Sequence, residues 1–357
     1  MPSSEQVLTV LSAIKDPDLG RDVVSLGMIK DLAISDEGKV SFTFELTTPA
    51  CPVRDRFQTL ARQLVSEIPG VTAVDLKMTA NVRAAFNGRS HAGAIQGVKH
   101  VIAVASGKGG VGKSTVAVNL AASLQLSGAR TGLLDADIYG PSVPGMLGVS
   151  DEPKVHDQKL VPFEAFGLKF ISIGLLAGAD KAMVWRGPMV SRAIEQLLTD
   201  VLWGELDYLI VDLPPGTGDA SLTLAQAVPL TGVAIVCTPQ EAALKIALKA
   251  LQMFRGLNVP PLGLIENMSW FVCGGCGQEH HIFDHGLAER AAQRLGVPYL
   301  GAIPLESTIR EDADSGVPVV VSHPETAGAQ ALRKVASAVA ARVAVQSFRQ
   351  LPVINVR

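Results

Sequence analysis

The chain has 357 residues, 48% of them hydrophobic and 18% charged, and a formal net charge of −3. That length favours two domains with ordinary apolar cores, and the near-neutral balance supplies neither the basic field of a nucleic-acid binder nor a like-charge interaction tail. The first residues lack a basic leader, no apolar run approaches the roughly 18 residues that span a bilayer, and four cysteines do not make a disulfide framework. The expectation is a cytoplasmic protein without a membrane or nucleic-acid partner, whose thiols are available as ligands.

In chain order, the spacing of Val7, Leu8, Val10, Leu11 and Ile14 predicts a helix, and Asp16-Pro17-Asp18-Leu19-Gly20 predicts a turn. A pair of extended segments follows; Val40, Phe42 and Phe44 alternate with Ser41, Thr43 and Glu45, the period-two pattern of a half-buried strand. A turn at Thr47-Thr48-Pro49-Ala50-Cys51-Pro52 leads into a helix over about 53–68 that stops at Pro69-Gly70, and 71–78 forms a last strand. Cys51 stands near that helix N-terminus, where a thiol can gain thiolate character, but a lone cysteine is more often a small buried hydrophobe. Residues 1–86 therefore read as a small α+β domain, and 87–97, rich in small and flexible residues, as a linker.

From 98 to 357, apolar strands at 101–105, 131–134, 168–173, 208–211, 233–237, 262–265 and 300–303 alternate with helical segments. That alternation predicts an α/β domain with a mostly parallel sheet and helices on both faces, closed by a helix over 326–345. Ligands of such sheets sit at the carboxyl ends of the strands, where the polar motifs of this chain fall.

After the first of these strands comes Gly107-Lys108-Gly109-Gly110-Val111-Gly112-Lys113-Ser114-Thr115, which fits G-x-x-x-x-G-K-[ST]. Glycines let the backbone N–H groups turn inward around phosphates, Lys113 reaches the β/γ-phosphates, Ser114 offers a hydroxyl to Mg²⁺, and the following helix presents its N-terminus to the anion. The motif predicts nucleoside triphosphate binding. Asp212 ends the apolar strand before Leu213-Pro214-Pro215-Gly216-Thr217-Gly218-Asp219 and fits a Walker B acid that would share Mg²⁺ with Ser114. The Pro-Pro-Gly run reads either as a switch sensing the γ-phosphate or as a rigid turn. Asp137 is the candidate for orienting or deprotonating the attacking water, with Asp135 in support or serving as a helix cap. Asn267, after its strand, has an amide able to read an adenine edge; an ordinary turn asparagine is the alternative.

Cys273-Gly274-Gly275-Cys276 has metal-ligand spacing but supplies two ligands where a closed site needs four. The other half comes from the same loop of a second copy, giving Cys₄ around an iron–sulfur cluster, or from His280 and His281, giving zinc within one chain; a redox disulfide or solvated thiols remain open. Cys237, inside an apolar strand, reads as core.

Together KGGVGKST at 108–115, DADIYGPSVP at 135–144, WRGPMV at 185–190, DYLIVDLPPGTGD at 207–219, TPQEAAL at 238–244 and ENMSWFVCGGCG at 266–277 resemble the Mrp family of iron–sulfur cluster carrier ATPases, a branch of the MinD/ParA-like deviant P-loop group. The segments DPDLGRDVVSLGMIKDL at 16–32 and TTPACP look like the small iron–sulfur assembly domain often fused in front of bacterial members. The resemblance implies a homodimer in which Cys273 and Cys276 of each copy hold a labile [4Fe–4S] cluster. It also implies ATP binding and slow hydrolysis that gate cluster loading from an assembly scaffold and transfer to apoproteins. By matching motif, Lys108 is the signature lysine that crosses to the partner's nucleotide, Lys113 the phosphate lysine, Asp137 the switch I acid and Cys51 the small domain's motif cysteine. The sequence departs from the family pattern at Ile282-Phe283-Asp284-His285-Gly286-Leu287, where the family often has a glycine-rich run. The competing readings are a positioning ATPase of the MinD/ParA type, which has no use for the cysteine pair, and a P-loop ATPase with a structural zinc site.

Overall fold

A computed structural model describes residues 2–84, 95–138, 140–176, 187–216, 218, 221–222, 225, 230–273 and 275–349. The chain divides into two compact units, Met1–Arg83 with Ala340–Leu351, and Ala84–Val339 with Pro352–Arg357. Of the linker expected at 87–97, residues 87–94 lie outside the described residues, as do Trp185, Arg186, Thr217, Asp219 and the segment 350–357. Among the described residues no helix is long and apolar enough to cross a membrane.

The smaller unit opens with helix α1 (Ser4–Leu11), whose N-cap Ser3 and Gln6 satisfy each other's backbone N–H groups in a capping box. Strands β1 (Ile29–Ile34) and β2 (Lys39–Leu46) are antiparallel, helix α2 (Arg54–Ser66) follows, and β3 (Ala73–Ala80) returns parallel to β2. The alternation in β2 buries Val40, Phe42, Phe44 and Leu46 on one face. They meet Phe57, Ala61 and Val65, one stripe of α2, and the Phe44 and Phe57 rings stack 5.4 Å apart. Phe348, near the end of the helix Ala327–Arg349, packs against the same core, with the Arg83 guanidinium 4.7 Å from its ring centroid. The end of a helix that the sequence places with the second domain is thus grouped with the first.

The larger unit contains β4 (Val98–Ser106), helix α3 (Lys113–Leu126), β5 (Thr131–Asp135), a hairpin of β6 (Val155–His156) and β7 (Lys159–Leu160), then β8 (Phe163–Ala165), β9 (Leu168–Ser172), β10 (Leu206–Asp212), β11 (Gly232–Cys237) and β12 (Pro261–Glu266). A second hairpin, β13 (Phe271–Val272) and β14 (Glu279–His280), precedes β15 (Tyr299–Ala302). The main sheet runs β15-β12-β11-β4-β10-β5-β9-β8, parallel except for β8 at one edge. Every residue of β5, β10 and β11 is buried, because helices cover both faces. The short antiparallel β8 carries no long apolar run, and the sequence pattern does not announce it.

Register places the motifs. Asp212 pairs with Asp135 on one side and Val104 on the other, Val236 with Ser106, and Cys237 with Glu266. Four segments far apart in sequence therefore end on one edge of the sheet, around the loop that leaves β4.

Candidate nucleotide and cysteine sites

The loop between β4 and α3 needs glycine at two places for steric reasons. A Cβ on Gly107 would collide with the backbone of Ile246 and Ala247 in the helix Glu241–Gly256, and one on Gly112, at φ 78°, would collide with the Asn267 amide. Gly112 is the cap residue of α3, which points its N-terminal N–H groups into the loop.

Lys113, 6% exposed, places Nζ 2.6 Å from Asp212 Oδ1, 3.4 Å from Asp137 Oδ2 and 3.3 Å from Ser114 Oγ. Ser114 Oγ donates to Asp212 Oδ2 at 2.5 Å. The Asp212 carboxylate is thus shared between the lysine and the serine. Burial pushes its pKa up, against the pull of Lys113 and the Ser114 hydrogen bond. Asp135 accepts Ser172 Oγ at 2.9 Å and the Asp137 N–H at 3.1 Å, and burial, reinforced by the Asp212 charge, pushes it up to about 7. Asp137 Oδ1 accepts the Gly140 N–H at 3.3 Å. One buried lysine faces three buried carboxylates, an excess of negative charge that a divalent cation would offset. Ser114 Oγ and Asp212 Oδ2 are hard oxygen donors close enough to share such an ion, so the residues fit Mg²⁺.

Around this centre, Leu213 N–H and Gly216 N–H donate to Val104 and Ser106, fixing the start of the Pro-Pro-Gly run against β4. Lys108 Nζ reaches Gln240 Oε1 at 3.3 Å, a partner the sequence reading did not single out. Thr115 O accepts the Asn119 amide within α3. Asn267 is buried and donates through Nδ2 to Val111 O at 2.8 Å, so the structure places it against the phosphate loop itself.

The cysteine pair lies in the turn between β13 and β14. Cys276 is exposed and Cys273 partly so. Cys273 N–H donates to Gln278 O and Gly277 N–H to Cys273 O, and Gly277 takes φ 71° to close the turn. The N–H groups of Gly275 and then Cys276, followed by the Cys276 thiol, hold the Cys273 thiol below its ordinary value, which favours the thiolate a metal requires. Val272, next to Cys273 in the chain, and Ile282 and Phe283, just after β14, are exposed apolar side chains. Among the described residues no group of three or more His, Cys, Asp or Glu side chains converges to hold a metal ion, so His280 and His281 do not join the cysteines in one. His281 instead stacks on His285, ring centroids 4.5 Å apart, and His285 Nδ1 lies 3.1 Å from Ser269 Oγ. In the departure from the glycine-rich pattern, Asp284 adopts φ 95°, a glycine-like conformation, and its Oδ1 accepts the His285 N–H at 2.6 Å.

The other thiols behave differently. Cys51 packs against the small unit's core, and burial, despite the Val53 N–H, pushes it up to about 11, which favours the buried small hydrophobe of the two readings over the thiolate. Cys237 is core, as its strand predicts, pushed up to about 12 by burial and then by the Glu266 carboxylate.

Sequence reasoning missed Glu266. It is fully buried, accepts Ser269 Oγ at 2.6 Å and the N–H groups of Gly286 and Ala288 at 3.0 and 2.8 Å, and so caps the helix Leu287–Leu295 from the end of β12. A carboxylate closing an otherwise apolar strand was the available signal.

Comparison with known proteins is consistent with this geometry. Residues 97–340 match the ParA family model described as NUBPL iron-transfer P-loop NTPase, and 4–76 match the FeS_assembly_P model, described as an iron–sulfur cluster assembly protein. An iron–sulfur cluster carrier protein of Deinococcus radiodurans is 49% identical over 351 residues, covering 98% of each chain. A nucleotide-binding protein of Archaeoglobus fulgidus, solved with ADP, is 37% identical with a TM-score of 0.58, over 65% of this chain and 91% of that one. The septum site-determining protein MinD of Pyrococcus horikoshii, solved with Mg-ADP, aligns at a TM-score of 0.52 and 23% identity over 66% of this chain and 94% of that one, a likeness of fold.

Proposed function

This chain belongs to the family of NUBPL-type iron-transfer P-loop NTPases, and from that membership we propose that it is an ATP-dependent iron–sulfur cluster carrier. The observation that carries the reading is the exposed hairpin with two thiols, one of them depressed towards thiolate, rooted on the same sheet edge as the phosphate loop. Its cargo is a [4Fe–4S] cluster held by Cys273 and Cys276 of two copies of the chain, since one copy supplies half of the four ligands. The second copy would also cover the exposed apolar side chains of Val272, Ile282 and Phe283.

At the nucleotide centre, the inward-facing loop N–H groups and Lys113 bind the phosphates of ATP, and Ser114 and Asp212 would hold Mg²⁺, which would supply neutralising charge for the phosphates. Asp137 orients a water and takes its proton as the water attacks the γ-phosphorus and the bond to ADP breaks. Lys108, beside Gln240 at the mouth of the loop, reaches the partner copy's nucleotide. Hydrolysis is slow and gates loading from a scaffold or release to apoproteins.

Anaerobic reconstitution with iron and sulfide tests this. A brown dimer with about four irons, lost in Cys273→Ser, is the expected result. One tight zinc per chain that depends on His280 or His281 would overturn the cluster assignment.

A further inference from the structure

The end of β12 carries two adjacent polar residues that face different ways. Asn267 donates to Val111 O of the phosphate loop and packs where a side chain on Gly112 would stand. Met268 then takes φ 58°, turning the chain back so that Ser269 returns to Glu266. The Glu266 carboxylate holds both roots of the cysteine hairpin: Ser269 before β13, and Gly286 with Ala288 after β14. His285 adds to the same knot through Ser269. Backbone bonds from Ser269 to Ile303 and from Leu305 to Trp270 fix one root against the segment that follows β15, while the two roots meet each other at the carboxylate and at the Ser269–His285 contact.

We propose that Glu266 is the positioning residue of the cysteine pair, joining the hairpin to the nucleotide centre through its neighbour Asn267. A buried carboxylate with three donors is worth keeping only while all three stay in place, since an unmade bond to a buried charge costs more than a neutral one. A shift of the phosphate loop on nucleotide binding displaces Asn267. The strand end transmits that shift to Glu266, and both hairpin roots follow. This positioning role rests on the cluster-carrier reading for its purpose, while the hydrogen bonds that define it involve no metal.

The test uses the full-length chain without metal. Alkylation of Cys273 and Cys276 by iodoacetamide is followed by peptide mass spectrometry with and without Mg-ATP, and Cys51 serves as the internal control. In the unaltered chain, nucleotide is expected to change the rate at Cys273 by about fivefold or more, with little change at Cys51. In Glu266→Gln that nucleotide response collapses towards one, while ATP turnover and the labelling of Cys51 stay close to the unaltered chain. Ser269→Ala removes the hydroxyl's ties to Glu266 and His285 with little risk to folding and halves the response or more, so it decides the matter if Glu266→Gln fails to fold. An undiminished response in both variants, or no response in the unaltered chain, overturns the inference. Failure to take up iron in reconstitution sinks the carrier reading alone, because the alkylation measurement needs no cluster.

Discussion

The nucleotide centre and the cysteine hairpin stand on one sheet edge and are built on opposite principles. Around Lys113 the chain closes the site itself: the lysine, Ser114, Asp137 and Asp212 are paired with one another. Around Cys273 the chain closes nothing beyond the turn; the thiols face outward, and the hydrogen bonds that hold the hairpin lie at its roots. A site that must grip phosphates and exclude water benefits from preorganised, buried dipoles. A site that must take up and give away a metal cluster benefits from exposed thiols on a rigid base. Under the proposed function, the difference is that between a reaction centre and a loading dock.

The sharpest way to break this comparison is to disable each region and read both. Lys113→Ala is expected to lower ATP turnover by about a hundredfold or more while iron uptake in reconstitution persists; Cys273→Ser is expected to abolish iron uptake. Loss of iron uptake in Lys113→Ala would show that the two centres do not stand apart. These are the largest effects, read by phosphate release and by iron and sulfide analysis.

A smaller effect ranks the thiols. Since a depressed pKa means that thiolate appears at lower pH, Cys273 should alkylate first near about pH 8. Cys51 and Cys237, pushed up to about 11 and about 12, stay protonated there and react slowly. Competitive labelling across a pH series checks the order, and faster labelling of Cys51 would contradict its burial. The smallest effect is expected from Asn267→Ala, which removes one hydrogen bond to the loop and should weaken nucleotide affinity by about fivefold, measured by calorimetry. No change in affinity would free Asn267 from any part in shaping the loop.

Much of this was legible in the residues. The period-two burial of β2, the apolar runs of the large sheet and the strand–loop–helix order around Lys113 are local patterns, and local backbone geometry produces them directly. Cys237 in its apolar strand followed the same logic. For Cys51 the helix N-terminus beside it is visible in sequence, while the core that desolvates it is assembled from segments elsewhere in the small unit. The edge strand β8 is three residues long and has no periodic run to betray it.

The sequence by itself determined that a glycine-rich loop of phosphate-binding pattern, an acid closing an apolar strand and a cysteine pair at metal-ligand spacing exist, because each is a contiguous run. Only the tertiary structure decided which of them touch. Asn267 meets Val111 across 156 positions, Lys108 meets Gln240 across 132, and Glu266 gathers residues 3, 20 and 22 positions away. Parallel strand register sets those meetings, bringing strand ends together regardless of their distance along the chain. Burial then decides which charges are tolerated there, and neither register nor burial is a property of any short stretch of sequence.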